Sequence, residues 1–180
     1  MAKKLAFVTI GILHEPLGAA RSQGFVDRIP GVFDAADASS GFVARSIRNM
    51  ETYERSWGEL EIPECLSDVG DVLRLPSTLS LWDDLESVAA FAYHGAHGEA
   101  MAKRREWFMA AKVPTYVAWW VDSSDRIDPK EAKDRLDHLH KFGPTPMAFD
   151  FKKPFDADGN PISLSQQAVK DKIAANASNA

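Results

Sequence analysis

The sequence predicts an α+β fold: a ferredoxin-like βαββαβ sheet with two covering helices, then a C-terminal helix and an extended segment. Three observations carry it. Leu5 to Leu13 and Thr115 to Val121 (TYVAWWV) are runs rich in Val, Ile and aromatic residues and read as strands. Asp83 to Phe108 is the longest helix-like stretch, with Leu85, Val88, Ala89, Ala92, Tyr93, Ala96, Ala100, Met101 and Phe108 at helical spacing. Between the first strand and that helix lie a helical segment and two strands, the order of a split βαβ unit.

The helical segment is Ala20 to Ala38, through Phe25, Val26, Ile29, Val32, Phe33 and Ala36, with a break expected at Pro30-Gly31. Gly41 to Ile47 reads as the second strand. Residues 48–69 look like a long irregular excursion with Trp57, Ile62 and Pro63. Val72 to Trp82 is the third strand, at an edge or bulge because of Pro76. The long helix should begin at about Asp84, with Asp83 and Glu86 as a capping box. Another helix starts at Asp128-Pro129, with Glu131 completing a box, and stops at Gly143-Pro144. Met147, Phe149 and Phe151 alternate with polar or small residues as an extended segment. A short helix is expected near Gln166 to Ala174, with fraying at the last residues. Residues 1–155 are read as one domain and 156–180 as a polar tail.

Leu5, Phe7 and Leu13 alternate with Ala6, Val8, Ile10 and Ile12, and Val117 and Trp119 with Tyr116 and Trp120, so both sheet faces are apolar. Two helices cover only one face, which leaves the other to bury itself against a second copy. A homodimer with an apolar cavity between sheet and partner, or between sheet and helix, is the expectation.

The net charge of −5 argues against nucleic acid or an anionic membrane as partner. Cys65 is the single cysteine, which suits a reducing, cytoplasmic setting. Lys3, Lys4 and Gly18-Ala19-Ala20 imitate a signal peptide, but Thr9, Gly11 and His14-Glu15-Pro16 fit a strand and loop better. No segment reaches the ~20 apolar residues of a membrane span.

His97 lies in the apolar stripe of the long helix, and Arg104 falls about 20° from it and ~10 Å further along the axis. A ring nitrogen with an arginine two turns away suits a planar metal-centred cofactor with carboxylate arms. Gly95 and Gly98 flank His97, each costing a helix about 1 kcal/mol relative to Ala. Either a flat ligand approaches the backbone there, or the glycines break the helix and His97 is an ordinary half-buried histidine. His94 and His97 alone make an incomplete metal site, and His138 and His140 face different ways on their helix. Lys103-Arg104-Arg105 is a solvated face or an anion clamp. Trp107, Trp119 and Trp120 sit on elements that would line the cavity. Nucleotide-binding glycine motifs and G-x-S-x-G are absent from the sequence.

The run PSTLSLWDDLESVAAFAYHGAHGEAMAKRREWF, then PTYVAWWV and HLHKFGPTPMAFDFKKPF, resembles a bacterial domain-of-unknown-function family grouped with spheroidene monooxygenase. That enzyme is a haem-dependent carotenoid oxygenase of the dimeric α/β-barrel superfamily. The resemblance implies a barrel dimer and haem b. It implies His97 as metal ligand, with His94 as runner-up, and matches the family arginine and tryptophan to Arg105 and Trp107. Tyr93, Met101 and Arg104 complete the expected cofactor set, and Phe91, Phe108, Trp119 and Trp120 the substrate pocket. The implied function is a haem-dependent enzyme, a monooxygenase-like oxidoreductase or a dehydratase/cyclase, acting on a small hydrophobic substrate. Alternatives are a cofactor-free barrel protein that binds or oxidises a small hydrophobic ligand, and a non-catalytic binding protein.

Overall fold

The structure, a computed structural model, describes residues 3–49, 51–122 and 126–178. Four strands, β1 (Lys4–Ile10), β2 (Phe42–Arg45), β3 (Ser77–Trp82) and β4 (Tyr116–Val121), form one sheet in the order β2-β3-β1-β4. Every neighbouring pair is antiparallel, with Leu5 opposite Trp82 on one side and Trp120 on the other. Among the described residues, six α-helices lie around it: α1 (Gln23–Val26), α2 (Ile29–Asp37), α3 (Leu85–Ala92), α4 (Gly95–Trp107), α5 (Pro129–Phe142) and α6 (Gln166–Ser178).

The expected alternation holds, and it builds two cores. Ala6, Val8, Ile10, Leu79, Leu81, Val117 and Trp119 face one way. Leu5, Phe7, Trp82 and Ala118 face the other, against Ala36 of α2 and Leu85 and Val88 of α3. The first face is not bare. Ala132, Leu136 and Leu139 of α5, Ile127, and Leu66 and Leu75 of the 48–75 excursion bury it. The excursion is held in place from α5, where the Asp137 carboxylate accepts the backbone N–H groups of Glu64 (3.0 Å) and Cys65 (3.2 Å). Among the described residues, then, the open face that called for a second copy does not exist. The expectation failed because residues 48–69 and α5 were counted as appendages rather than as a layer.

Other expectations shift locally. Pro30 does not break a helix; it lies in the first turn of α2, where its missing N–H has no partner to lose, and the interruption falls at Asp27–Arg28. Pro76 precedes β3 rather than sitting inside it. The cap of α3 is Asp84, whose Oδ1 accepts the N–H (2.8 Å) and hydroxyl (2.8 Å) of Ser87. Asp83 instead pairs with Lys4 (2.6 Å), and Glu86 accepts the N–H of Ser165 (3.0 Å). Within the 147–151 segment, Phe149 exchanges two backbone hydrogen bonds with Ala118 (both 2.9 Å) and so screens the edge of β4. Helix α6 extends to Ser178 and lies on α3, tied by Lys172–Asp84 (3.2 Å). The fraying expected of the last residues falls on 179–180, outside the described residues.

Candidate functional site

The stretch 83–108, read as one helix or as a helix broken at its glycines, is two helices. Tyr93 leaves helical geometry, His94 is extended (φ −133°, ψ 167°), and Gly95, the first residue of α4, has φ +56°. Such a φ costs an L-residue about 1–2 kcal/mol and glycine little, which explains Gly95 without a ligand. Gly98 has a different reason. A Cβ there would lie 2.7 Å from the Tyr93 carbonyl oxygen, so the helices can fold this closely only with hydrogen at that position. The helical phase drawn across Leu85 to Phe108 therefore fails at the break, although His97 and Arg104 keep their relation within α4.

This geometry places the His97 ring back under the end of α3. Its Nδ1 lies 2.7 Å from the carbonyl oxygen of Ala92, an end-of-helix acceptor. A carbonyl only accepts, so Nδ1 is the protonated nitrogen and Nε2 carries the lone pair. The ring packs on Phe91 (4.7 Å), Phe91 on Trp82 (5.4 Å) and Trp82 on Phe42 (5.1 Å), a file of aromatics from the sheet to the histidine. Burial holds the His97 pKa below the ordinary histidine range, only partly opposed by the Ala92 bond, and the imidazole is neutral at pH 7.

Stability follows from that sign. The unfolded chain protonates His97 first, so the folded form loses stability as pH falls through about 6.5. We expect the urea midpoint of the wild type to fall more between about pH 7.5 and 5.5 than that of His97→Gln; parallel pH profiles would contradict it.

A second aromatic group adjoins the junction. Tyr93 packs on Phe151 (5.7 Å), Phe151 on Tyr116 (5.4 Å) and on Phe7 (5.8 Å). Burial pushes the Tyr116 hydroxyl up to about 12 and raises that of Tyr93, whose shift the Arg104 charge opposes. Arg104 is exposed and donates to the Met101 carbonyl oxygen (2.9 Å). Met101 is half-buried and Arg105 exposed.

The remaining expected residues lie elsewhere. Trp107 is buried against Phe25 (6.3 Å) and the Arg28 guanidinium (5.0 Å), and Phe108 meets Phe25 edge-on (5.0 Å). Both serve the contact between α1 and α4, so neither joins His97. Trp119 is fully buried on the opposite sheet face. Trp120 shares the His97 face, where its Nε1 donates to the Phe155 carbonyl oxygen (2.8 Å). His94 is exposed and makes no side-chain cap bond. Sequence reasoning missed the Ala92 carbonyl, Phe42 and Trp82; only the helix break, signalled by two close glycines, could have revealed the first.

His138 and His140, expected to diverge, line one groove of about 510 Å³ with Glu64, Cys65 and Asp137. Burial and Asp137 push the Cys65 thiol up to about 11, far from a nucleophilic thiolate. Among the described residues no three His, Cys, Asp or Glu side chains are placed to hold a metal ion, and no helix is long and apolar enough to cross a membrane.

A family model matches residues 4–165, from β1 to the residue before α6. The chain belongs to the DUF3291 family, a domain of unknown function. No curated protein matches it. A crystal structure of NE2512, a protein of unknown function from Nitrosomonas europaea, is similar over 70% of this chain and 96% of its own, at 12% identity and a TM-score of 0.44.

Proposed function

We propose that this DUF3291 protein binds haem b through His97 Nε2 and is a haem-dependent oxidoreductase of monooxygenase type acting on a small hydrophobic substrate. One observation carries the reading: Nδ1 is committed to the Ala92 carbonyl at 2.7 Å in a half-buried, neutral ring. Ligand histidines are characteristically anchored this way, the second nitrogen held by a backbone carbonyl that fixes the tautomer and raises the basicity of the coordinating one. The resemblance to the family of spheroidene monooxygenase supports the cofactor. The strand order with all pairs antiparallel supports the ferredoxin-like topology of that superfamily. A barrel dimer, however, would need α5 and the 48–75 segment to leave the sheet face they cover.

The donor set fits in part. His97 would hold the iron through Nε2, and Arg104, exposed beside Tyr93, would pair with a carboxylate arm. Trp107 and Phe108 do not fit, because they serve the α1 contact. Bound haem would supply redox and oxygen chemistry. The chain's own contribution is to hold His97 neutral, to fix its ring on Phe91, and to offer Tyr93 and Phe151 as apolar surface for a substrate. The single cysteine, Cys65, suits a reducing, cytoplasmic setting.

The test is an absorption titration with haem. The wild type should develop a sharp Soret band, His97→Ala should not, and His94→Ala should match the wild type. If none of the three develops a band, the alternatives are favoured: a cofactor-free or non-catalytic binding protein in which His97 only caps α3.

A further inference from the structure

Helix α6 begins at Gln166, one residue beyond the match to the DUF3291 model, and is fixed to the domain differently from the other long helices. Among the described residues none in α6 is fully buried, whereas α3, α4 and α5 each bury at least one side chain. The half-buried positions Ala168, Val169, Lys172, Ile173 and Asn176 recur at helical spacing and mark one face. Polar ties hold that face down. Lys172 Nζ lies 3.2 Å from Asp84 Oδ2, and Asn176 Oδ1 accepts the N–H of Ser40 (2.7 Å).

The surface beneath it is the outer side of α3. Leu85 and Val88 face the sheet, and at 100° per residue Ala90 lies about 170° round the helix from their midpoint. Glu86, about 40° from Ala90, accepts the N–H of Ser165 (3.0 Å), so α6 starts on that outer side. Ala90 is accordingly only 1% exposed, with α6 packed along α3. The pivot is defined as well. Leu164 packs into the core that α3 shares with the sheet, so the chain is anchored up to Ser165 and α6 is free to swing from there.

Helix α3 has eight residues. Isolated helices shorter than about 12–15 residues are marginal in water, so α3 depends on what packs against it. Its ends carry the two contacts that matter. Asp84, the N-cap, meets Lys172 of α6, and the Ala92 carbonyl at the other end anchors His97 Nδ1 (2.7 Å). One two-turn helix therefore joins α6 to the histidine ring.

We propose that α6 is a hinged strap that lifts from α3 without global unfolding and that its docking controls the anchoring of His97 to the Ala92 carbonyl. Segments held by few buried apolar contacts open first, and the docked and lifted positions of α6 are the two states. Docked, α6 supports the outer side of α3 and the ring stays fixed. Lifted, it leaves α3 supported by the sheet alone, and the α3–α4 junction loosens. The inference concerns the His97–Ala92 hydrogen bond itself and stands whether or not haem binds.

The experiment is hydrogen–deuterium exchange of the full-length wild type, Lys172→Glu and Ile173→Asp, followed by mass spectrometry. In the wild type, the amides of α6 should exchange well before those of β1 and β4. Lys172→Glu turns an ion pair with Asp84 into a repulsion and should speed α6 exchange by about threefold or more. Ile173→Asp places a charge on the docked face and should speed it further. In both variants peptides spanning 93–98 should quicken together with α6, while β1 and β4 keep wild-type rates. Three results would each overturn the proposal: wild-type α6 exchanging no faster than β1, β1 and β4 quickening as much as α6 in the variants, or an unchanged 93–98 segment in Ile173→Asp.

Discussion

Trp119→Ala is expected to destabilise the protein by about 3–5 kcal/mol, the range for a fully buried large aromatic. Trp119 is 1% exposed and lies opposite Ala6 of β1, whose small side chain leaves room for the indole beneath α5. Its Nε1 has no hydrogen-bond partner among the described residues, so Trp119→Phe should keep much of the packing while removing an unpaired buried donor. Trp120→Ala should cost less, because Trp120 is only half-buried, and its effects should include the Phe155 contact on the His97 face. Urea unfolding compares the three. Haem affinity, measured in parallel, should be indifferent to the Trp119 variants. Equal stability losses for the two alanines would contradict the assignment of faces.

The second large effect is at Gly98. Helix propensity alone says that Gly98→Ala should stabilise α4 by up to about 1 kcal/mol. The methyl, however, would stand 2.7 Å from Tyr93 O and 2.8 Å from Tyr93 C, both backbone atoms. Backbone yields less readily than a side chain, and overpacking of this kind costs about 1–3 kcal/mol. The clash therefore wins, with net destabilisation of about 1–2 kcal/mol. Relief requires the two helices to part, which lengthens the His97–Ala92 bond and should weaken haem binding as well. A variant more stable than the wild type would show that the close approach at Tyr93 is not what keeps glycine at position 98.

Much of the fold was legible because periodicity is a strong signal. The alternation along Leu5–Ile10 and Tyr116–Val121 fixed which residues share a face, and Pro129 with Gly143 marked both ends of α5. The break at Gly95 was legible as one of two readings of the glycine pair, and it is the one the backbone adopts. A positive φ and a close backbone approach look the same in sequence, a glycine, as a ligand contact does. The covering of the first sheet face was also hidden, because the tie between Asp137 and the amides of Glu64 and Cys65 joins residues more than 70 positions apart. His97 was legible as a candidate through its place in the stripe. Trp107 and Phe108 were not separable from it, since their direction depends on α1, four residues that carry no comparable pattern.

The central claim, that His97 Nε2 is the coordinating atom, is tested most directly by haem titration of His97→Ala with and without added imidazole. Loss of the Soret shift in the variant and its return when imidazole refills the vacated position is the predicted result. A wild-type spectrum in His97→Ala without imidazole would contradict it.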